Sequence, residues 1–150
     1  MPQSLAHVLI HVVFSTKQRR PYISNEIRSD LHAYLGGIVR ELGAKPVTIN
    51  GTADHVHLLL GLPPVLALAD ALRVIKTNSS RWVHEKWPER RTFAWQAGYS
   101  AFSVSESNAA RVIQYIGNQA EHHRKRSFQE ELKDFLKKHK IEYDERYVWD

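Results

Sequence analysis

The chain has 150 residues, the usual size of one domain, and 43% of them are hydrophobic, which is enough to supply a core. It contains no cysteine, which excludes disulfides, iron–sulfur clusters, thiolate zinc sites and a cysteine nucleophile. The formal net charge is +5 and the sequence pI is about 9.6, values that are compatible with a nucleic-acid partner. No apolar run approaches the roughly 18 residues of a membrane span and no signal peptide is visible at the N-terminus, so we expect a cytoplasmic protein without a membrane partner.

The first half of the chain alternates between strand and helix patterns. Residues 6–15 predict a central strand, because both of its faces are largely apolar. Residues 24–42 predict a helix. Residues 45–51 predict a second strand, and Asn50-Gly51 at its end is typical of a tight turn that leads into a hairpin.

The stretch from Asp54 to Leu60 is the most informative part of the chain. If it is a strand, its side chains alternate between faces, so His55 and His57 point the same way. Neutral imidazole is the commonest nitrogen ligand of divalent ions, and two adjacent imidazoles can begin a metal site. The alternative is a pair of half-exposed or internally hydrogen-bonded histidines. Asp54 could brace one of these histidines or serve the turn before them.

The second half predicts four further elements. They are a helix over residues 65–87, a strand or strand pair over 93–104, and two helices over 107–126 and 127–140. The resulting order, β-α-β-β-α-β-α-α, matches the split βαβ pattern with helices added at the C-terminal end. We therefore expect an α+β fold of the ferredoxin-like type, an antiparallel sheet with helices packed on it.

Two further histidines lie on the predicted first strand. His7 and His11 share one face of it. In the split βαβ topology the first and third strands are central, which would bring these histidines close to His55 and His57. They could support a site there, and a core or edge position is the alternative.

The predicted helix over residues 107–126 carries two polar side chains on one face. Tyr115 and Gln119 are four positions apart, so their side chains are neighbours on the helix surface. A phenol and an amide carbonyl could therefore converge on whatever the histidines hold. The alternative is that Tyr115 packs in the core and Gln119 is solvated.

Three motifs together resemble one known family. Residues 54–59 resemble the HUH motif (His, hydrophobic, His) of single-strand DNA nucleases. Residues 95–105 look like the segment before the catalytic helix of IS200/IS605-type transposases, and residues 115–119, followed by His122-His123, resemble their tyrosine-bearing helix. The resemblance spans essentially the whole chain, so we expect residues 1–150 to form a single HUH tyrosine transposase domain. Transposases linked to repeated extragenic palindromes form a related branch that is also similar.

The resemblance implies a reaction and its residues. It implies cutting and rejoining of single-stranded DNA at hairpin-marked element ends through a 5′-phosphotyrosine intermediate, without ATP or any nucleotide cofactor. Tyr115 would be the nucleophile, and His55, His57 and Gln119 would be the ligands of a divalent ion. Mg²⁺ is the expected ion, with Mn²⁺ able to replace it because Mn²⁺ accepts imidazole more readily. The resemblance also implies a homodimer in which the tyrosine helix of one subunit can complete the site of the other.

Single-stranded DNA binds to basic grooves and aromatic platforms. The candidate DNA contacts are Arg19, Arg20, Arg73, Lys76, Arg81, Arg124 and Lys125. The aromatic residues near basic ones are Trp82, Trp87, Trp95 and Tyr99. The alternatives are a solvated surface for the basic residues and a core position for the tryptophans.

Two other functions remain open on the sequence. One is a non-catalytic or domesticated binder of single-stranded or hairpin nucleic acid, although such a binder would have no chemical need for the histidines, the tyrosine and the glutamine together. The other is a phosphoesterase with two histidine motifs, but that chemistry needs two His-x-Thr/Ser repeats, and the chain has one His-x-His.

Overall fold

The structure is a computed structural model, and it describes residues 2–150. Within these residues, four strands form one antiparallel sheet in the order β2-β3-β1-β4. The strands are β1 (Leu9–Ser15), β2 (Lys45–Gly51), β3 (His55–Gly61) and β4 (Ser100–Val104). The central position of β1 and β3 is the one that the split βαβ pattern predicts, and the α+β fold class is confirmed.

Helices cover both faces of this sheet. The helices are α1 (Asn25–Glu41), α2 (Leu68–Lys86), α3 (Ala109–Gly117), α4 (Gln119–Lys125) and α5 (Phe128–Lys138). α1 and α2 pack on the first face, where Val56, Leu58 and Leu60 of β3 enter the main core. Residues of α3 and α5 pack on the second face in two smaller apolar clusters. Among residues 2–150, no helix is both long and apolar enough to cross a membrane.

Several element boundaries differ from the sequence-based expectation. β1 begins at Leu9 instead of residue 6, and α2 begins at Leu68 because Pro63 and the residues after it form a turn. Within residues 93–104 only β4 is a strand, and Trp95 contributes one isolated bridge to Thr16. The hairpin between β2 and β3 is present, but β2 runs through Gly51, so the turn falls on the next three residues.

The predicted helix over residues 107–126 is interrupted at Asn118, which separates α3 from α4. Gly117 and Asn118 are weak helix formers. In addition, Asn50 of β2 donates its side-chain amide to the carbonyl oxygens of Ile116, at 2.9 Å, and Gly117, at 3.3 Å. These carbonyls lie at the end of α3, where helical acceptors lack partners within the helix. The Asn50 side chain, which belongs to β2, therefore stabilises the break between α3 and α4.

Candidate active site

Strand alternation places the two strand histidines together on the second face of the sheet. Val56 and Leu58 point into the core under α1 and α2, so His55 and His57 point to the opposite face. Both imidazoles are fully buried beneath α4 and α5. The imidazoles are therefore not half-exposed, and each makes internal hydrogen bonds that fix its orientation.

His55 is held by the turn that precedes it. Its Nδ1 lies 2.7 Å from the Asp54 carboxylate and 3.0 Å from the Thr52 hydroxyl. A carboxylate only accepts, so Nδ1 carries the proton and Nε2 faces the Gln119 side-chain oxygen at 3.0 Å. Burial would raise the pKa of Asp54, but the hydrogen bond and charge interaction with His55 outweigh it and lower that pKa. Asp54 therefore braces the imidazole from its place in the turn.

His57 lies between His11 and a carboxylate that the sequence did not predict. Its Nδ1 is 2.8 Å from Nε2 of His11, and its Nε2 is 2.9 Å from Oε1 of Glu131 in α5. Burial lowers the pKa of His11 to about 3 and, against the opposing effect of Glu131, lowers the pKa of His57 to about 4. Both imidazoles are therefore neutral at pH 7. The expectation that a β1 histidine lies at the pair holds for His11, whereas His7 precedes β1 and instead contacts Glu106.

The break between α3 and α4 brings the helix side chains to the same place. Tyr115, near the end of α3, donates its hydroxyl to Glu131, and its ring stacks on His122 with centroids 4.4 Å apart. Burial and the hydrogen bond to Glu131 raise the pKa of Tyr115 above its ordinary value, so the phenol is protonated at neutral pH. Gln119, the first residue of α4, is fully buried. One chain thus brings together His55, His57, Tyr115 and Gln119.

Two residues of the site have no assigned role in the sequence-based prediction. His123 lies four positions after Gln119 on the same face of α4, and that spacing was a usable signal. Glu131 is 3% exposed and occupies the apolar stripe of α5 together with Phe128 and Leu132. A charge on an apolar stripe was the available sign of its role. Burial alone would raise the pKa of Glu131, but hydrogen bonds from His123, His57 and Tyr115 lower it, so the group is a carboxylate.

The predicted DNA contacts fall into two groups. Arg73, Lys76 and Arg81 lie on α2, which covers the sheet face opposite the histidines. The first two line a cavity of about 440 Å³ together with Trp95 and Tyr99. Lys76 donates to the carbonyl oxygens of residues 97 and 98, and burial lowers its pKa to about 8.

The remaining basic candidates lie outside α2. Arg124 and Lys125 are exposed on α4, directly after His123. Arg20 is also exposed, and Arg19 packs over the Trp149 ring beside the C-terminal end of the chain. Arg20, Arg124 and Lys125 therefore have the exposure that a phosphate contact needs, whereas Arg19 is partly buried.

The predicted aromatic platforms include one tryptophan in the core and two that are partly buried. Trp95 is buried and donates its indole N–H to the Ser79 hydroxyl, so it belongs to the core. Trp82 and Trp87 are partly buried and lie in edge-to-face contact, with the Lys86 ammonium 5.1 and 5.0 Å from their ring centroids.

The protonation states of the buried histidines predict a pH-dependent stability. Because the pKa values of His11 and His57 are lowered from 6.5, the unfolded chain binds more protons than the folded chain below pH 6.5, and stability falls as the pH decreases through that window. The raised pKa of His123 acts in the opposite direction. Urea denaturation should show a free energy of unfolding lower at pH 5 than at pH 7 by on the order of 2 kcal/mol. His11→Leu should reduce this difference; equal stability at the two pH values in the wild type would contradict the assigned protonation states.

The site as a whole places a phenol hydroxyl beside a group of side chains that could hold a metal ion. Nitrogen and oxygen ligand atoms of His55, His57, His123 and Glu131 all lie within 4.8 Å of one another. The arrangement is therefore suited to holding a divalent cation next to the Tyr115 hydroxyl, as in an enzyme that acts on phosphodiesters.

Comparison with known proteins gives the family. A family model of IS200-like transposases matches residues 4–119. The ISDra2 transposase TnpA of Deinococcus radiodurans is 28% identical over 114 residues, covering 73% of this chain and 81% of that protein. The transposase for insertion sequence element IS200 of Salmonella typhimurium is 29% identical over 128 residues, covering 79% of this chain and 84% of that protein. The chain belongs to the IS200-like transposase family.

Two solved structures are similar to the fold. One, described as a transposase from Deinococcus radiodurans R1, has a TM-score of 0.64 at 28% identity and covers 79% of this chain and 98% of that chain. The other is a REP-associated tyrosine transposase bound to a REP hairpin, with a TM-score of 0.61 at 13% identity over 82% of this chain and 74% of that chain. The resemblance to IS200/IS605-type transposases that the motifs suggest is confirmed.

Proposed function

We propose that this protein is a divalent-metal-dependent strand transferase that cuts and rejoins single-stranded DNA at hairpin-marked element ends. The observation that carries the proposal is the convergence of Tyr115 and Gln119 on the buried face of β3 that bears His55 and His57. A chain with no chemical use for these groups would gain little from burying them together, since buried polar groups cost free energy unless each finds a partner.

The ligands in this proposal are His55, His57 and Gln119. The Gln119 oxygen, and not its NH₂ group, faces the imidazole nitrogens, which leaves the NH₂ nitrogen buried without a hydrogen-bond partner. This orientation is the one that an amide ligand requires, and it supports a cation at this place. When bound, the cation would offset the charge of the phosphate and orient it for attack.

In the reaction, the Tyr115 oxygen attacks phosphorus and forms the Tyr–O–P bond, while the bond from phosphorus to the 3′ oxygen breaks. The 5′-phosphate stays on the tyrosine, and the phenolic proton is balanced by the proton that the leaving 3′-hydroxyl gains. The hydroxyl already donates to the Glu131 carboxylate, so a proton-accepting oxygen lies beside it before attack. One phosphodiester replaces another, so the bond energy is kept and rejoining by a free 3′-hydroxyl needs no ATP.

The DNA partner and the oligomeric state belong to the same proposal. The solved REP-associated tyrosine transposase is bound to a REP hairpin. We propose that this chain also binds a single strand that carries a hairpin. Arg19, Arg20, Arg124 and Lys125 would contact the strand near the site. Arg73, Lys76 and Arg81, on the opposite face of the sheet, would contact the hairpin.

A homodimer remains part of the proposal. Here Tyr115 lies beside His57 of its own chain, with ring centroids 5.9 Å apart. Action across a dimer would require α3 and α4 to exchange between subunits. Sedimentation of the protein with and without hairpin DNA would test the dimer.

A covalent-capture assay tests the proposed reaction. The protein is incubated with labelled single-stranded hairpin DNA from the sequence flanking its gene, with Mn²⁺ or with EDTA, and the products are separated on a denaturing gel. A metal-dependent protein–DNA band supports the strand transferase. Tight DNA binding without a band would favour the non-catalytic binder, and a band that persists in EDTA would overturn the role of the metal.

A further inference from the structure

Three imidazoles present the same nitrogen to one buried space. Nδ1 of His55 donates to the Asp54 carboxylate, and Nδ1 of His123 donates to the backbone carbonyl of Arg126 at 3.0 Å. Nδ1 of His57 is engaged by His11. In each case Nε2 faces inward, and metal-ligating histidines are held in this way, with the outer nitrogen fixed by a carboxylate, a carbonyl or another partner.

A carboxylate enters the same space from α5. Oε1 of Glu131 lies 2.9 Å from Nε2 of His57 and 3.8 Å from Nε2 of His55, and its Oε2 lies 3.4 Å from Nε2 of His123. We call His55, His57, His123 and Glu131 the His–Glu cluster. The family model ends at residue 119, so His123 and Glu131 lie beyond the segment that it matches.

We infer that His123 and Glu131 are metal ligands of this protein, and that the His–Glu cluster takes Mn²⁺ or a later divalent transition metal in preference to Mg²⁺. The inference rests on the proposed metal-dependent function and extends it. It assigns to α5, which neither the HUH motif nor the tyrosine helix includes, the role of completing the metal centre.

The spacing of the ligand atoms fits one ion. Ligands about 2.1 Å from a tetrahedral ion lie about 3.4 Å from one another. The three distances from the Glu131 oxygens to imidazole nitrogens, 2.9, 3.4 and 3.8 Å, lie on both sides of this value. All ligand atoms of the His–Glu cluster lie within 4.8 Å of one another, so side-chain shifts without movement of the helices can bring the four groups to one ion. The Gln119 oxygen, 3.0 Å from His55 Nε2 and 3.1 Å from His123 Nε2, can add a fifth ligand.

The chemistry of the set determines which metal it prefers. Mg²⁺ prefers oxygen ligands and keeps several waters. Mn²⁺ accepts imidazole ligands more readily than Mg²⁺ does, and cobalt and zinc accept them more readily still. Glu131 also changes the charge at the centre. With His55, His57 and Gln119 alone the ion would keep its full charge, whereas the carboxylate reduces it by one and strengthens binding. The cluster therefore favours tight transition-metal binding over weak Mg²⁺ binding.

Metal titration of purified full-length protein tests the inference without measuring DNA cleavage. Mn²⁺ binding is measured by electron paramagnetic resonance of the free ion, and Co²⁺ binding by its visible absorption, for the wild type, Glu131→Gln and His123→Asn. We expect each change to weaken Mn²⁺ binding by at least about 10-fold, and His123→Asn to alter the Co²⁺ spectrum. The controls are Glu130→Gln and Glu121→Gln, which alter exposed carboxylates on the same helices and should bind as the wild type does.

The outcomes separate the inference from the proposed function. If Glu131→Gln and His123→Asn bind Mn²⁺ as tightly as the wild type does, the inference is overturned and the metal ligands are His55, His57 and Gln119. A wild type that binds no divalent metal would overturn the metal dependence of the proposed function as well. Mg²⁺ that displaces Mn²⁺ at equal concentration would overturn the preference for Mn²⁺.

A folding control is needed because Glu131→Gln also removes a buried charge that has several hydrogen-bond partners. Circular dichroism and thermal melting without metal are therefore recorded for each variant. Glu131→Asp keeps the charge but has a shorter side chain, and it provides a second variant with the same expected loss of Mn²⁺ binding.

Discussion

Replacing Tyr115 with phenylalanine is expected to abolish the covalent protein–DNA product, with a loss of at least about 1,000-fold. The substitution removes one oxygen, the atom that would attack phosphorus. The ring stays in contact with His122 and Phe135, so folding should be nearly unchanged. The lost hydrogen bond to Glu131 should lower the free energy of unfolding by about 1 kcal/mol, because Glu131 keeps its imidazole partners.

The measurement is the denaturing-gel capture assay run beside a DNA-binding assay on the same hairpin strand. Tyr147→Phe is the matched control, because Tyr147 is 63% exposed and lies near the C-terminus. Tyr115→Phe should bind DNA as the wild type does and give no covalent band. A band of wild-type intensity would show that another residue is the nucleophile, and lost binding with unchanged cleavage per bound complex would assign Tyr115 to DNA binding.

The fold was largely accessible from the sequence because its elements have clear local periods. The alternation in β3 puts histidines on one face and aliphatic residues on the other, and this pattern depends only on the pleat of a strand. α1 and α2 bury apolar residues at helical spacing against the first face. The order of these elements then leaves few topologies, and the split βαβ arrangement is one of them.

The remaining features depend on contacts between distant parts of the chain. The end of α3 at Gly117 depends on Asn50, which lies 66 positions before Ile116. The carboxylate at His57 comes from Glu131, 74 positions away, in a helix whose composition resembles an ordinary charged surface helix. Sequence period cannot report such partners, because it describes one element at a time. The alternating pattern of β1 extends towards the N-terminus beyond the residues that pair in the sheet. For this reason the prediction placed His7 on the β1 face, although it lies outside the strand.

Replacing Gly51 with alanine is expected to destabilise the protein by more than about 3 kcal/mol and to displace His55. A Cβ at this position would lie 2.2 Å from the backbone oxygen of His55 and 2.9 Å from the Cα of Val56. Both are backbone atoms of β3, so neither can move without shifting the strand that carries the histidines. Large losses of this kind arise when packed backbone has no room to adjust. The constraint is the close approach of two strands at a buried position, and it applies although the glycine has no unusual backbone angle.

Gly37→Ala is the matched control for this substitution. Gly37 lies within α1, and a Cβ there would meet no atom outside its own helix within 4 Å. Alanine in the middle of a helix is favoured over glycine, so this change should raise the free energy of unfolding by about 0.5–1 kcal/mol. Urea denaturation of the two variants should therefore give shifts of opposite sign, and Mn²⁺ binding should be lost only in Gly51→Ala. A Gly51→Ala variant that unfolds at the wild-type urea concentration would show that β2 and β3 are not in such close contact and that His55 lies in a looser hairpin.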